Sequence, residues 1–564
     1  MQETEWIVAK VPEGVGPGTG SDGDLPFILR VLLAQRGFTT DDQLEPFLRP
    51  RLGDLRDPFE LPEMDIAVRR ILQAVDKGEP TCIFGDYDVD GITSVAILRQ
   101  LLSAYGLEPQ TFIPIRGQEG YGLSDAAVDR CLEAEVKPSL LITVDCGTAS
   151  GAQIERLADQ GIEVIVVDHH EAGVEGRPPA AAVVNPKFGD DYGYLCSAGV
   201  VFKLAHALLK TRRLEEVDLK ELLDLVAVAT IADIVPLVGE NRLLVRHGLR
   251  RLPQTSNHGL RALMKLSGMN GHVTSSDVGF RIGPRINAAG RMDAPDDALR
   301  TLMADSAKKA ALMAEQLDDY NRERQKCEQE MHEGALQKLK QGFDEAKDPV
   351  IVVGSGRWHP GVVGIVASRL MRYYHKPAFV IAFDEDGMGK GSGRSIEGVS
   401  LVNAIEACRP LLEAGGGHHM AAGISLRKDN QEKFRQAFAD YVLSNTTEED
   451  RRPRLEIDAE VPLEDLSLDF LKSYELLQPF GPGNPQPVFM SRGVHLTEPP
   501  RPVGKNHMRL SLRQGIQERD AIYFGGGDRE LPDPPWDVAF TIDRNLFRGR
   551  LSLQISVRDI RVAQ

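Results

Sequence analysis

Residues 81–94 read TCIFGDYDVDGITS. A short β-branched and apolar run ends in a glycine. Aspartates follow at 86, 88 and 90, and a second glycine opens SVAILRQLLSAYG (94–106), whose apolar residues have helical spacing. A fully apolar strand that stops in acids and passes into a helix is the sequence form of a buried parallel strand and its crossover. The pattern recurs downstream, where QTFIPI, LLITV, VIVV and AAVV are short apolar runs separated by longer helical segments. These alternations predict an α/β domain with a parallel sheet covered on both faces.

Outward from this core, residues 303–345 lack proline and have no glycine before Gly334. Leu317, Tyr320, Cys327, Met331, Leu336, Leu339 and Phe343 recur near helical spacing in a charged background. This reads as a long helix connecting two domains, with a break near Gly334 as one variant. A plain surface helix of a single domain fits the same pattern. A second α/β rhythm (VIVV, GVVGIVASRLMRYY, AFVIAF) runs from Pro349 to about Asn445, and the charged TTEEDRRPR then reads as a linker. HMRLSLR, DAIYF, DVAFTI and RLSLQISV alternate at strand spacing and predict a small antiparallel β-barrel. Residues 1–75, with the glycine-rich GVGPGTGSDG, are weakly signalled. The expected division is an N-terminal segment 1–75, an α/β domain 76–302, a connecting helix 303–346, a second α/β domain 347–446 and a barrel 452–564.

A chain of 564 residues with 42% hydrophobic and 26% charged residues is ordinary globular material, long enough for roughly three to four domains. The net charge of -17 argues against a generic nucleic-acid binder, because phosphate contacts need Lys and Arg. A metal-dependent nuclease is different, since it gathers acids at its metals and confines its basic residues to a groove. Residues 491–564 carry 12 Lys+Arg against 9 Asp+Glu, the right sign for a binding module. Six cysteines without a C-x-x-C pair make zinc ribbons and disulfide frameworks poor readings and fit a reducing compartment. MQETEWIVAK has no signal-peptide order, and the apolar window LLDLVAVATIADIVPLV contains Asp224 and Asp233, so a cytoplasmic protein without a membrane span is expected.

Asp86, Asp88 and Asp90 repel one another unless a cation or proton intervenes. Taken alone, the loop reads equally as a hard-cation site or as a turn in which Asp and Gly shape the backbone. Further strand ends shift the balance. Asp145 ends LLITV, and Asp168, His169 and His170 end VIVV. Asp233 has no Lys or Arg within eight residues on either side. Ligands of parallel sheets collect at the carboxyl ends of strands. Each residue singly has a plainer reading, as a helix cap or a satisfied core histidine. Together they favour a metal pair. Carboxylate and imidazole without thiolate suit Mn²⁺ or Mg²⁺, and two such ions sharing a carboxylate lower the pKa of a bridging water at a phosphate ester.

GDYDVDG, ITVDCG, VVDHH and TIADIVPL, in that order, resemble the four motifs of the DHH phosphoesterase superfamily. FRIGPRINAAGRM, GRWHPGVVGIVASR, GKGSGRSIEG and GGGHHMAAG follow, and the whole set is similar to the single-strand-specific 5′→3′ DNA exonucleases of that superfamily. The resemblance runs from about residue 80 to 425. It implies a DHH domain, a DHH-associated domain and a C-terminal OB-fold, and release of mononucleotides by two-metal hydrolysis in recombination and repair. It also assigns roles. Asp145 would bridge two ions, Asp86 would hold one, and Asp88, His169 and Asp233 the other. Asp90 and Asp168 would orient ligands, with direct binding by Asp90 open. His170 would sit beside the scissile phosphate as stabiliser or acid. Phe84 stands where several smaller relatives have His, which leaves the first ion fewer ligands.

Arg116, Arg281, Arg285, Arg291, Ser392, Arg394 and His418 are the candidate contacts to nucleic acid, with a pocket for a terminal 5′-phosphate. Surface ion pairs and plain glycine turns are the bland readings of these residues. Trp358 and His359 fit a nucleotide contact or, somewhat better, domain-interface filling. On the barrel, Lys505, His507, Arg509, Phe547, Arg548 and Arg550 are a candidate single-strand face, against the reading that its aromatics are core. Single-stranded DNA with a 5′ end is the expected partner, with a single-stranded-DNA-binding protein and a helicase as further candidates. The rival readings are another DHH phosphodiesterase or oligoribonuclease, and a replication scaffold that has lost catalysis.

Overall fold

The computed structural model describes residues 4–15, 25–133, 136–173, 176–189, 192–269, 271–527, 529–547 and 549–563. It forms two compact units, Arg56–Arg452 and a second unit made of Gln2–Leu55 with Pro453–Gln564.

In the first unit the strands Gln110–Phe112, Thr81–Gly85, Leu140–Val144, Glu163–Val167 and Ala182–Val184 lie in that order, all parallel. Thr81–Gly85 and Leu140–Val144 are buried at every position, which explains why they read as continuous apolar runs. One face packs Phe84, Leu141 and Val166 against Leu123, Val128, Ile154 and Leu157 from the helical segments on that side. Helices Val89–Ala104, Ser197–Thr211 and Leu223–Ala232 pack against one another, buried along most of their length.

The helix Ala307–Leu339 begins at Ser306, whose hydroxyl accepts a hydrogen bond from the Lys309 N–H, and passes through Gly334 without a break. It packs on helices His258–Leu266 and Gly283–Arg291 of the first domain. Its C-terminal Met331, Ala335 and Leu339 enter a core with Ile351, Val353, Val380 and Leu370 of the second. One helix thus carries two footprints.

The second sheet runs Ala414–Gly417, Ala421–Arg427, Met388–Arg394, Ala378–Phe383, Ile351–Ser355, and only its last pair is parallel. Strand alternation divides its side chains between two cores. Val352, Phe379, Ile381 and Phe383 face Phe434 and Phe438, whereas Ile351, Val353, Ala378 and Val380 face the long helix.

In the second unit, Phe489–Leu496 pairs with both His507–Gln514 and Trp536–Phe547, closing a five-stranded barrel with Gln517–Phe524 and Arg550–Val562. The expectation of an antiparallel barrel needs correction, because Gln517–Phe524 runs parallel to Arg550–Val562. Alternation reveals which residues face inward but not which strand is the neighbour. Residues 1–75, taken together from sequence, divide between the units. Met64–Lys77 packs on the first sheet, while Glu5–Val8 pairs with Arg454–Ile457 and Leu29, Leu32, Leu33 and Leu48 enter the core under the barrel. Most of GVGPGTGSDG lies outside the described residues.

Candidate active site

Gly85, Val144 and Val167 are aligned in register across three neighbouring strands. Asp86, Asp145 and Asp168 each come one residue later, so three carboxylates leave the sheet side by side at roughly strand spacing, ~4.8 Å. Asp145 holds a left-handed backbone with φ 62°, a strained state for a non-glycine residue and one that concentrates at functional sites. Asp88 caps helix Val89–Ala104 by accepting from the N–H groups of Asp90 and Gly91. Gly91 is required there, since a methyl group at this position would sit 2.4 Å from the Asp86 carbonyl oxygen. Asp90 accepts from the N–H groups of Ser197 and Ala198 at 2.7 and 2.8 Å. Asp233 ends helix Leu223–Ala232, with its Oδ2 3.6 Å from His169 Nε2.

Three triplets have ligand atoms within 4.8 Å of one another: Asp86, Asp88 and Asp145; Asp90, His169 and Asp233; and Asp145, His169 and His170. Asp88 therefore groups with Asp86 and Asp145, and Asp90 takes the place beside His169 and Asp233. Asp86 Oδ2, Asp145 Oδ1, His169 Nε2 and Asp233 Oδ2 are buried without a hydrogen-bond partner. Burial, then the neighbouring carboxylates, pushes Asp86 and Asp145 far above the usual carboxylate range and Asp233 up to about 9. Burial pushes His169 down, toward the neutral imidazole that can bind a cation. So many converging anions are stable only with bound cations or protons. The oxygen and imidazole donors fit Mn²⁺ or Mg²⁺. Cys146 adds no ligand, because burial holds it as a thiol and its Sγ donates to the Val144 carbonyl. Phe84 adds none either, being fully buried and stacked on Phe112.

Asp168 belongs to none of these triplets. It accepts from the N–H groups of Thr148 and His169 and lies 2.8 Å from His170 Nδ1. Burial favours its neutral form, but the His170 contact overcomes this and keeps it well below the usual range. Burial likewise opposes charge on His170, and Asp168 reverses that, raising it to about 9. His170 Nε2 lies 2.9 Å from the Tyr121 hydroxyl.

Tyr121 also lines a cleft of ≈ 670 Å³ between the two α/β domains, with Arg116, Arg291, Asp293, His359, Lys390, Ser392 and Arg394 among its walls. Arg291 donates to the Gly361 carbonyl at 2.9 Å, and Arg394 donates to Ser392 Oγ at 3.0 Å. Burial, then Arg116, lowers the Arg291 guanidinium to about 10 and also depresses Arg394. Guanidinium groups gathered beside a glycine-lined strand make this cleft a candidate anion site. Gly290 lets Arg291 approach, since a methyl group there would be 2.6 Å from the Tyr87 carbonyl oxygen.

Most of the other expected contacts do not line this cleft. Arg281 pairs with Asp277, and Arg285 pairs with Asp318 of the long helix. His418 is exposed on the turn beside the cleft residue Gly417. Trp358 packs with the core against the long helix, while His359 lines the cleft. In the second unit, Arg509 and Arg550 line a groove of ≈ 870 Å³, and Lys505 lies in a turn outside its lining. Arg548 and the side chain of Phe547 lie outside the described residues. His507 turns toward Phe524, and its Nδ1 accepts from the Gly525 N–H. Tyr121 and Lys390 were missed in sequence. The signal for Tyr121 was its place in GYGLS, between two glycines that both take positive φ.

Carboxylates and imidazoles at the ends of a five-stranded parallel sheet, facing an anion cleft on a second α/β domain, define a divalent-metal phosphoesterase of the DHH class. Family models agree: the DHH family N-terminal domain matches residues 80–230, the DHHA1 domain 347–444 and the RecJ OB domain 457–559. The chain belongs to the RecJ family of exonucleases. The single-stranded-DNA-specific exonuclease RecJ of Bacillus subtilis is 38% identical over 544 residues, 94% of this chain and 68% of that protein. The crystal structure of RecJ in complex with Mn²⁺ from Thermus thermophilus matches with a TM-score of 0.84 at 32% identity, covering 100% of this chain and 80% of that one. The Mg²⁺ complex of the same protein matches with a TM-score of 0.77 at 30% identity, covering 100% and 79%. The chain is therefore a metal-dependent exonuclease that uses Mn²⁺ or Mg²⁺. Among the described residues, no helix is long and apolar enough to cross a membrane.

Proposed function

We propose that the chain is a single-stranded-DNA-specific 5′→3′ exonuclease that releases mononucleotides and serves recombination and repair. The observation that carries this reading is the junction at Tyr121, where a cationic cleft meets the carboxylate cluster. A strand would lie between the two α/β domains with its terminal 5′-phosphate among Arg116, Arg291, Ser392 and Arg394. Tyr121 sets the step from that phosphate to the next, which reaches the cluster. Asp86, Asp88 and Asp145 would hold one ion, and Asp90, His169 and Asp233 the other. Bound divalent ions supply positive charge to the reacting phosphate and activate water at neutral pH. Asp168 fixes the His170 ring, which with the Tyr121 hydroxyl it contacts would sit beside the reacting phosphate as stabiliser or acid. The Arg509–Arg550 groove on the barrel is a candidate single-strand site of the second unit. We place the chain in the cytoplasm, with a single-stranded-DNA-binding protein and a helicase as the partners that would deliver its strands.

The test is degradation of end-labelled oligonucleotides with Mn²⁺ or Mg²⁺. A 5′-labelled, 5′-phosphorylated single strand should lose its label as a mononucleotide at once, and a 3′-labelled one should shorten progressively. Duplex should resist. Cleavage confined to dinucleotides, or preferred on long RNA, would replace this reading with the oligoribonuclease one, and no cleavage with either ion would leave the scaffold reading.

A further inference from the structure

The helix Gly283–Arg291 ends by placing an acid on the wall of the cleft. Its chain runs on as MDAP, and the Ala294 N–H donates to the Ala289 carbonyl at 2.9 Å, closing a left-handed cap. Asp293, inside that cap, holds φ 58°. Glycine is the usual residue at such a position, because a side chain costs energy there. Nothing in the cap uses a carboxylate. The cleft gains nothing directly from one either. Asp293 lines it together with Arg116, Arg291 and Arg394, and a carboxylate there repels any phosphate.

The carboxylate is used by another segment. Its Oδ1 accepts from the Gly117 N–H at 3.0 Å. Gly117 follows Arg116 in the short helix Arg116–Glu119. A Cβ at Gly117 would lie 2.7 and 2.8 Å from the two carboxylate oxygens, so glycine is what admits the contact. Glu119 ties the same segment to helix Asp125–Leu132, accepting from Arg130 and from the Ile115 N–H. Asp293 ties it to helix Gly283–Arg291. One hydrogen bond thus joins a residue adjacent to Arg116 with a residue two places after Arg291. Burial, then Arg116, depresses the Arg291 guanidinium, so the two cations this bond holds together repel one another.

We propose that Asp293 is a positioning residue for the 5′ end of the strand: its hydrogen bond to the Gly117 N–H sets Arg116 beside Arg291 so that both reach one phosphate. The inference rests on the reading above, in which that phosphate lies among Arg116, Arg291, Ser392 and Arg394. It is the acceptor oxygen that does this, not the charge. Asparagine keeps such an oxygen and tolerates the left-handed backbone, so it should serve at least as well. Glycine suits the cap better than aspartate but has no acceptor, so it should fold well and bind the 5′ end poorly.

The test uses the full chain with Mn²⁺ and 3′-labelled single strands that differ only in carrying a 5′-phosphate or a 5′-hydroxyl. Asp293→Gly is expected to raise KM for the phosphorylated strand about three- to tenfold, with kcat changed less than about twofold. The preference for phosphate over hydroxyl should fall by the same factor. Asp293→Asn should keep the wild-type KM. Gly117→Ala, whose methyl group displaces the carboxylate, should reproduce Asp293→Gly, and the double variant should be no worse than either alone. A second readout needs neither strand nor metal: amide hydrogen exchange in the peptide Arg116–Tyr121 should be faster in Asp293→Gly and Gly117→Ala than in the wild type and Asp293→Asn. An unchanged KM in Asp293→Gly, an equal rise on both strands, an equal loss in Asp293→Asn, additive losses in the double variant, or unchanged exchange would each overturn the proposal. A wild type indifferent to the 5′ group would instead strike the reading of the cleft, while hydrogen exchange still decides whether Asp293 holds the Arg116 segment.

Discussion

Replacing Arg394 with alanine should remove the preference for a 5′-phosphate while leaving the chemistry of hydrolysis largely intact. Arg394 uses one nitrogen for Ser392 Oγ and the Gly393 carbonyl, at 3.0 and 2.7 Å, which orients the remaining donors of its fork into the cleft. A hydrogen bond to a charged partner contributes about 1.5–3 kcal/mol, so its loss should raise KM for a 5′-phosphorylated strand about 10- to 150-fold. A 5′-hydroxyl strand has no phosphate at that point and should lose no more than about threefold. Folding should suffer little. The guanidinium is depressed by burial and by Arg116, so deleting it relieves a repulsion, and the thermal midpoint should fall by no more than roughly a few degrees. The assay is steady-state cleavage of matched 3′-labelled strands that differ only in the 5′ group, for wild type, Arg394→Ala and Arg394→Lys. Lysine keeps the charge but not the planar fork, and should recover only part of the loss. An equal fall on both substrates would refute the reasoning, because it would mean that Arg394 supports the fold or the whole strand rather than the terminal phosphate.

Asp145→Ala should abolish cleavage, measured by label release, while binding of single-stranded DNA stays detectable by fluorescence anisotropy. Mn²⁺ at about a hundred times its dissociation constant should stabilise the wild type by about 2.7 kcal/mol per site. Differential scanning calorimetry should show that upward shift and find it much reduced in Asp145→Ala. Gly91→Ala should destabilise the first unit by about 1–3 kcal/mol or more and depress activity, because the added methyl group meets the Asp86 backbone rather than a side chain that can move. Urea unfolding followed by circular dichroism would measure it.

The metal cluster was legible in sequence because its parts obey a local rule. Asp86, Asp145 and Asp168 each end an apolar run, and a parallel sheet brings strand ends together whatever the order of its strands. Asp233 was legible through the absence of any neighbouring cation. The hydrogen-bond partners of the acids were not, because they depend on side-chain direction: Asp88 turns back to cap its own helix, and Asp90 reaches two amides more than a hundred residues away. The arginines show the same limit. Arg281, Arg285 and Arg291 occupy one short segment, yet Arg285 spends its charge on Asp318 and only Arg291 lines the cleft. Charge marks a residue as a candidate but does not fix its partner. Residues 2–55 were opaque for a related reason. Their strand Glu5–Val8 and helix Phe27–Gln35 complete the barrel unit, whose other strands lie more than four hundred residues later.

The net charge of -17 and the binding of a polyanion are reconciled by segregation. Divalent ions would silence the acids of the cluster, and in the proposed binding mode the strand would meet a cleft lined by Arg116, Arg291, Lys390 and Arg394. Only these neutralise phosphates locally, since charges farther away than about 8–10 Å are screened at physiological salt. For single strands, binding falls with salt by about 0.7 in logarithmic slope per phosphate neutralised. A short strand of about four nucleotides, long enough for the cleft alone, should therefore show a slope near −3 in log affinity against log salt. Arg394→Ala should make it shallower by about 0.7. A long strand should be steeper if the barrel groove with Arg509 and Arg550 takes up its 3′ portion, and Arg550→Ala should then flatten the long-strand slope without touching the short one. A short-strand slope near zero would mean that affinity comes from stacking and the metals rather than from the cleft, and the placement of the 5′-phosphate among those arginines would fall with it.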